Sequence, residues 1–172
     1  MKTIIFILCA CAVLFVACCN EKDNYSYIPD SAKFKYNVGD ILVYKSDSGA
    51  LDTFKLTRVF QDFIFIKYTG PCSNKGDHKE ELTYVFNKGN IGITYPGVIG
   101  GATYNNSRTE YSNSYQAFTI SGKKYDIVYC FKDDYAKTPK SIVKMYAVPG
   151  NGIIWYQQKD STIWELEQNK NL

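Results

Sequence analysis

From Lys33 onward, apolar and polar residues alternate in short runs broken by turn residues, and no stretch keeps helical spacing over about ten residues. Leu82, Tyr84 and Phe86 alternate cleanly, Asn87-Lys88-Gly89-Asn90 reads as a hairpin, and Ile91, Ile93 and Tyr95 return. Tyr115–Ile120 pairs through Ser121-Gly122 with Lys123–Lys132, where Tyr125, Ile127, Tyr129 and Phe131 share a face. Ser141–Val148, Ile153–Gln158 and Thr162–Glu167 form a meander around Gly150-Asn151-Gly152 and Lys159-Asp160. Nearer the start, Phe34–Tyr36, Ile41–Lys45 and Leu51–Phe60 are separated by Val38-Gly39-Asp40 and Asp47-Ser48-Gly49. Gln61-Asp62 breaks the run, and Phe63–Tyr68, apolar on both faces, reads as a central strand. About ten strands in consecutive hairpins predict an all-β fold, an antiparallel meander that is barrel-like or a partly open curved sheet.

Two stretches interrupt the pattern. Residues 70–80, GPCSNKGDHKE, read as a polar loop, and Pro96 to Asn113 is rich in glycine and asparagine with at most a short strand near Ala102–Tyr104. Ahead of Lys33 the texture is different again. Residues 20–32 have no periodic apolar face and read as a flexible tether.

Lys2 is followed by an uncharged, apolar run from Thr3 to Cys19, and charge returns at Glu21. A basic start, an apolar core and a small residue at its end are the pattern of a secretory signal helix. The run is marginal for a permanent span, which needs about 20 apolar residues. Leu14-Phe15-Val16-Ala17-Cys18 resembles the bacterial lipobox. That resemblance implies a diacylglycerol on the Cys18 thiol, cleavage just before it and acylation (palmitate, for example) of the new amino terminus. More than one chain gives durable anchoring, because each buried CH2 contributes about 0.8 kcal/mol. The predicted organisation is a lipoprotein signal peptide over 1–17, a lipidated tether over 18–32, one β domain over 33–168 and a tail over 169–172.

Loss of residues 1–17 removes one lysine, so the formal charge of +3 becomes +2, with acidic and basic residues interspersed. No clustered basic stripe argues for nucleic acid. The 15 tyrosines and 10 phenylalanines suit strands, and tyrosine also suits half-wet binding surfaces. Of six cysteines, Cys9 and Cys11 go with the signal and Cys18 carries lipid, which leaves Cys19, Cys72 and Cys130. A Cys72–Cys130 disulfide is available in an exported chain, while Cys130 in a strand pattern also reads as a small packed hydrophobe. No CxxC supports a zinc or redox site.

Gly122-Lys123-Lys124-Tyr125-Asp126-Ile127-Val128-Tyr129, Lys144-Met145-Tyr146, Gly152-Ile153-Ile154 and Trp164-Glu165-Leu166 resemble the closing strands of small uncharacterised Bacteroidetes lipoproteins. Val38–Ser46 and Asp52-Thr53-Phe54 are similar to their opening strands. The resemblance implies the same fold and an outer-membrane, lipid-anchored place in the cell envelope, and it carries over no catalytic residue. The acidic residues after Cys18 resemble surface-export signals of that phylum. Asp30-Ser31-Ala32 resembles its O-glycosylation acceptor, which makes Ser31 a candidate modification site.

The remaining constellations are sparse. His78, the single histidine, stands with Asp77, Glu80 and Glu81, where a divalent cation is one reading and a solvated loop the plainer one. No Gly-x-Ser-x-Gly elbow is present, and adjacent Asp133-Asp134 suits a turn better than the spaced carboxylates of a glycosidase. Gly97, Gly100 and Gly101 lack the Lys-Ser/Thr of a phosphate loop and read as a connection at a sheet edge or barrel mouth. Trp155 and Trp164 read as core or cross-strand partners. Neither a catalytic site, nor a metal site, nor a cofactor is expected. Tyr95, Tyr104, Asn105, Arg108 and Tyr111 form the candidate recognition surface for a glycan or peptide. A hollow interior would instead take a small apolar ligand, and a filled one would suit a scaffold.

Overall fold

In a computed structural model, residues 23–69, 76–95, 97–104 and 107–170 are described. The expected signal peptide over 1–17, Cys18 and Cys19, Cys72 and Asn105 lie outside them. Among the described residues there is no helix. The strands are β1 (Asn24–Ser26), β2 (Ile41–Ser46), β3 (Leu51–Lys67), β4 (Gly76–Phe86), β5 (Gly89–Thr94), β6 (Val98–Tyr104), β7 (Ser107–Ile120), β8 (Lys123–Lys132), β9 (Ile142–Val148), β10 (Gly152–Gln158) and β11 (Ile163–Lys170). Each strand from β2 to β11 pairs antiparallel with the next, and β11 pairs back onto β2 through Trp164↔Ser46 to Lys170↔Ile41. The all-β antiparallel meander expected from the alternation is therefore present, and its ladder closes into a ring.

Closure removes the free edges of the ring itself, while the outer half of β3 keeps one. It also creates an interior, and large side chains fill it. Tyr44, Phe54, Tyr84, Phe86, Phe131, Tyr156 and Trp164 join Leu42, Leu56, Ile91, Ile93, Ile99, Ile142 and Met145 in one buried cluster. Heavy tyrosine usage follows, because a buried tyrosine needs a partner for its hydroxyl. Tyr44 donates to the Ile153 carbonyl at 2.8 Å and Tyr156 to Asp52 at 2.9 Å. Trp164 stacks on Tyr156 across β10–β11 and donates its indole N–H to Gln158 at 3.1 Å. Trp155 packs against a second cluster of Val128, Cys130, Tyr146, Val148 and Ile154 on the opposite face. Phe118 and Tyr115, from the far half of the β7–β8 hairpin, cover that face, with Phe118 and Tyr146 ring centres 5.5 Å apart.

Residues 23–32 are not a tether. β1 pairs parallel with β4 (Asn24↔Asp77 to Ser26↔Lys79), and Ile28 is buried in the core. A three-residue strand and one anchoring isoleucine leave no periodic trace in sequence, so the alternation missed them. Residues 33–37, expected to contain a strand, instead cross one end of the ring. There Phe34 is buried, Lys35 donates to the Gly150 carbonyl, and the Tyr36 hydroxyl donates to the Asn151 carbonyl. Gly152 sits against Tyr36 with φ +71°, and an added Cβ would lie 2.6 Å from its hydroxyl oxygen.

Three further expectations are corrected. Gln61-Asp62 does not break β3, which runs through to Lys67 because both residues pair with β4. Phe63–Tyr68 is not a central strand. β2 stops pairing at Lys55, so beyond it β3 has β4 on one side only among the described pairings. The stretch 96–113 is not mainly loop, since β6 and the start of β7 pair within it.

Burial pushes the hydroxyl pKa of Tyr36 well above the ordinary value, and neighbouring Tyr84 and Asp40 push it further. Burial also raises Tyr84, and the charge of Glu80 adds to it. Tyr125 and Tyr129 are raised by burial first as well. Above the ordinary tyrosine pKa of 10.0 the unfolded chain therefore loses protons that the folded chain keeps. Stability should be fully present below about pH 10 and fall as the pH rises beyond it. Melting curves collected between about pH 8 and pH 11 check this, and a flat profile would contradict the packing of these hydroxyls.

Candidate functional site

The inward residues of β4, β5 and β6 (Leu82, Tyr84, Ile91, Ile93, Ile99) leave the alternate positions on the outer face. These are Glu81 and Thr83 on β4, Asn90, Gly92 and Thr94 on β5, and Gly100 and Thr103 on β6. With Glu110 and Tyr111 of β7 they line an open groove of about 560 Å3. Tyr111, 48% exposed, stands between this groove and a smaller recess of about 240 Å3 reaching Lys132, Asp133, Asp134 and Tyr135.

Two glycines form the floor. A glycine inside a strand lacks side-chain packing and costs about 0.5–1 kcal/mol against alanine. It therefore often marks a bulge or a place where something approaches the backbone. Neither Gly92 nor Gly100 has a positive φ, and a Cβ at either would meet nothing closer than 3.9 Å. The fold does not require glycine at these positions. Gly100 is also the extra residue where the β5–β6 register shifts between Gly92↔Gly101 and Ile93↔Ile99, a bulge that bends the groove wall.

The groove is chemically polar and weakly acidic. Thr83, Thr94 and Thr103 supply hydroxyls and Asn90 an amide, between the carboxylates of Glu81 and Glu110. Thr103 already accepts from the Asn90 backbone at 3.2 Å, and Thr109 donates to the Ala102 carbonyl at 2.9 Å, so the lining is fixed in place. Such a surface suits hydroxyl-rich or cationic ligands and disfavours anions. Among the described residues no group of three or more His, Cys, Asp or Glu side chains is placed to hold a metal ion.

Of the five residues picked out from sequence, Tyr111 lines the groove. Tyr95 lies at the β5–β6 turn, where its backbone N–H bonds to the Glu80 carbonyl. Tyr104 and Arg108 pair at the other end of β6, as Tyr104↔Ser107 and Thr103↔Arg108, so the set is spread along the strand. Glu81, Thr83, Asn90, Gly92, Thr94, Gly100, Thr103 and Glu110 were missed as a group. Their signal was the polar half of the alternation whose apolar half identified the core.

His78 is not in a solvated loop. It lies on β4, with its ring stacked on Tyr25 at 4.4 Å and tilted against Phe65 at 4.9 Å. Asp133 accepts from the Tyr135 backbone at 2.9 Å, as a turn residue does. Cys130 is a buried free thiol whose pKa is raised by burial, with Lys144 and Lys132 opposing, and it packs as a small hydrophobe. Ser31 is exposed in the turn closed by the Ala32 N–H and Pro29 carbonyl.

No family model, curated protein or solved structure matches this chain.

Proposed function

We propose that this chain is a lipid-anchored protein of the bacterial envelope, held through Cys18, and that its β ring binds a neutral or cationic glycan or peptide segment from outside. The observation that carries the binding reading is the glycine-floored groove beside Tyr111, where the fold itself does not require glycine. The filled interior favours an interaction or scaffold role over carriage of an apolar ligand inside the ring. The anchor rests on the lipobox.

A glycan array probed with wild type, Gly92→Val and Tyr111→Ala tests this reading. A valine side chain at Gly92 would project into the groove while suiting the strand better than glycine does, so stability should hold or rise. Binding should fall at least about tenfold for either variant, the loss expected when about 1.4 kcal/mol of contact goes. Signal that survives both changes would reject the groove as the recognition site, and absent signal would reject a glycan as its ligand.

A further inference from the structure

Among the described residues, β3 pairs with β2 over Leu51–Lys55 and β4 pairs with β5 over Glu81–Phe86. The outer half of the β3–β4 hairpin therefore projects beyond the ring, braced by β1. It carries four consecutive apolar residues, Phe63-Ile64-Phe65-Ile66. Phe60, Ile64, Phe65 and Ile66 remain 44–48% exposed, and Tyr25 and Tyr27 on the neighbouring segment more than half exposed. Tyr25 and Tyr27 meet Phe63 edge-on, so the aromatic group is ordered and still uncovered. Soluble domains rarely leave such a patch on an unpaired strand.

The chain's own course says what covers it. The Gly76 N–H, at the start of the projecting part of β4, donates to the Asp23 carboxylate at 3.2 Å. Five residue steps separate Cys18 from Asp23 and span at most about 17 Å. The exposed strand from Phe60 to Lys67 is itself about 25 Å long. Any acyl chain on Cys18 therefore tethers this hairpin, and not the opposite end of the ring, within reach of a bilayer.

We propose that the projecting end of the hairpin enters the headgroup region edge-on, with Ile64 and Ile66 on one face and Phe65 with Tyr25 on the other, and fixes the orientation of the ring; this rests on the anchor at Cys18. The contact is shallow. An unpaired strand edge exposes backbone N–H and C=O groups that hydrocarbon cannot satisfy, so the backbone stays at headgroup depth while the side chains dip inward. Tyrosine rings suit that depth, and Lys67 and Lys79 suit anionic headgroups.

The test uses the full acylated protein purified from membranes, carrying Phe65→Trp, in phosphatidylethanolamine–phosphatidylglycerol vesicles doped with brominated phosphatidylcholine. Flotation reads the anchor, and bromine quenching of the added emission over wild type reads the contact. Both should be positive, with about twofold quenching, while Tyr135→Trp, in the loop at the far end, stays unquenched. Flotation without quenching overturns the contact and leaves the anchor standing. Failure to float overturns both. Emission that shifts to the blue, ignores bromine and reverts on dilution would mean that a second copy covers the edge, and would overturn the lipid contact. Ile66→Trp serves as a second probe should Phe65→Trp lose the native near-ultraviolet circular dichroism.

Discussion

Replacing Glu80 by alanine is expected to lower the melting temperature by about 10 °C, the consequence of losing roughly 3–5 kcal/mol in a domain of this size. The carboxylate is only 1% exposed. One oxygen accepts the Ile28 backbone N–H at 2.6 Å and the other accepts the Gln61 amide at 2.7 Å, with Lys33 at 3.9 Å supplying charge. Alanine would leave a buried N–H and a part-buried amide without their acceptors, and each orphaned donor costs about 1–3 kcal/mol. Glu80→Gln keeps an oxygen for one of the two donors and should cost less than half as much. Because the Ile28 N–H lies between β1 and the segment closing the ring, the loss should also appear locally. Hydrogen exchange at Ile28 and along β1 should accelerate well before the ring opens, whereas exchange in β9 and β10 should follow global unfolding. Equal protection at both places, or a melting temperature within about 2 °C of wild type, would refute this role for Glu80.

The same carboxylate shows why parts of the fold were hidden in the sequence. Gln61 sits on an apolar strand because it serves Glu80, and read alone it looked like a break. Where a strand is half-buried, as at Leu82, Tyr84 and Phe86 or Ile91 and Ile93, alternation reports its inner face directly, and those elements were legible. Where neighbours decide burial, alternation misleads. Phe63-Ile64-Phe65-Ile66 has the composition of a central strand but lies where its second neighbour has ended. In 96–113, weak strand formers are held in β6 and β7 by ladder pairing on both sides, an override of propensity by context. The groove was half legible. Tyr111 was accessible to composition, whereas the floor depends on a register shift at Gly100 and on which face of β4 and β5 turns outward, neither of which spacing alone specifies.

Tyr156→Ala should destabilise the ring by about 3–5 kcal/mol, the usual cost of removing a large buried aromatic side chain. Tyr156 is fully buried, packs between Tyr44 at 5.2 Å and Trp164 at 5.9 Å, and lies 5.8 Å from Phe54. Its hydroxyl reaches Asp52, a carboxylate that also meets Lys88. Tyr156→Phe keeps the ring and loses that one bond, so it should cost about 1.5–3 kcal/mol, as expected for a hydrogen bond to a charged acceptor. The difference between the two variants, read from denaturant midpoints at constant slope, isolates the packing contribution. This comparison also decides what the interior is for. The space vacated is walled by the rings of Tyr44, Phe54 and Trp164, so benzene should raise the melting temperature of Tyr156→Ala and leave wild type unchanged. If instead Tyr156→Ala were nearly neutral and wild type itself were stabilised by benzene, the interior would be loosely filled. The ring would then be a carrier with its ligand inside, and the outer groove would lose its claim as the binding surface.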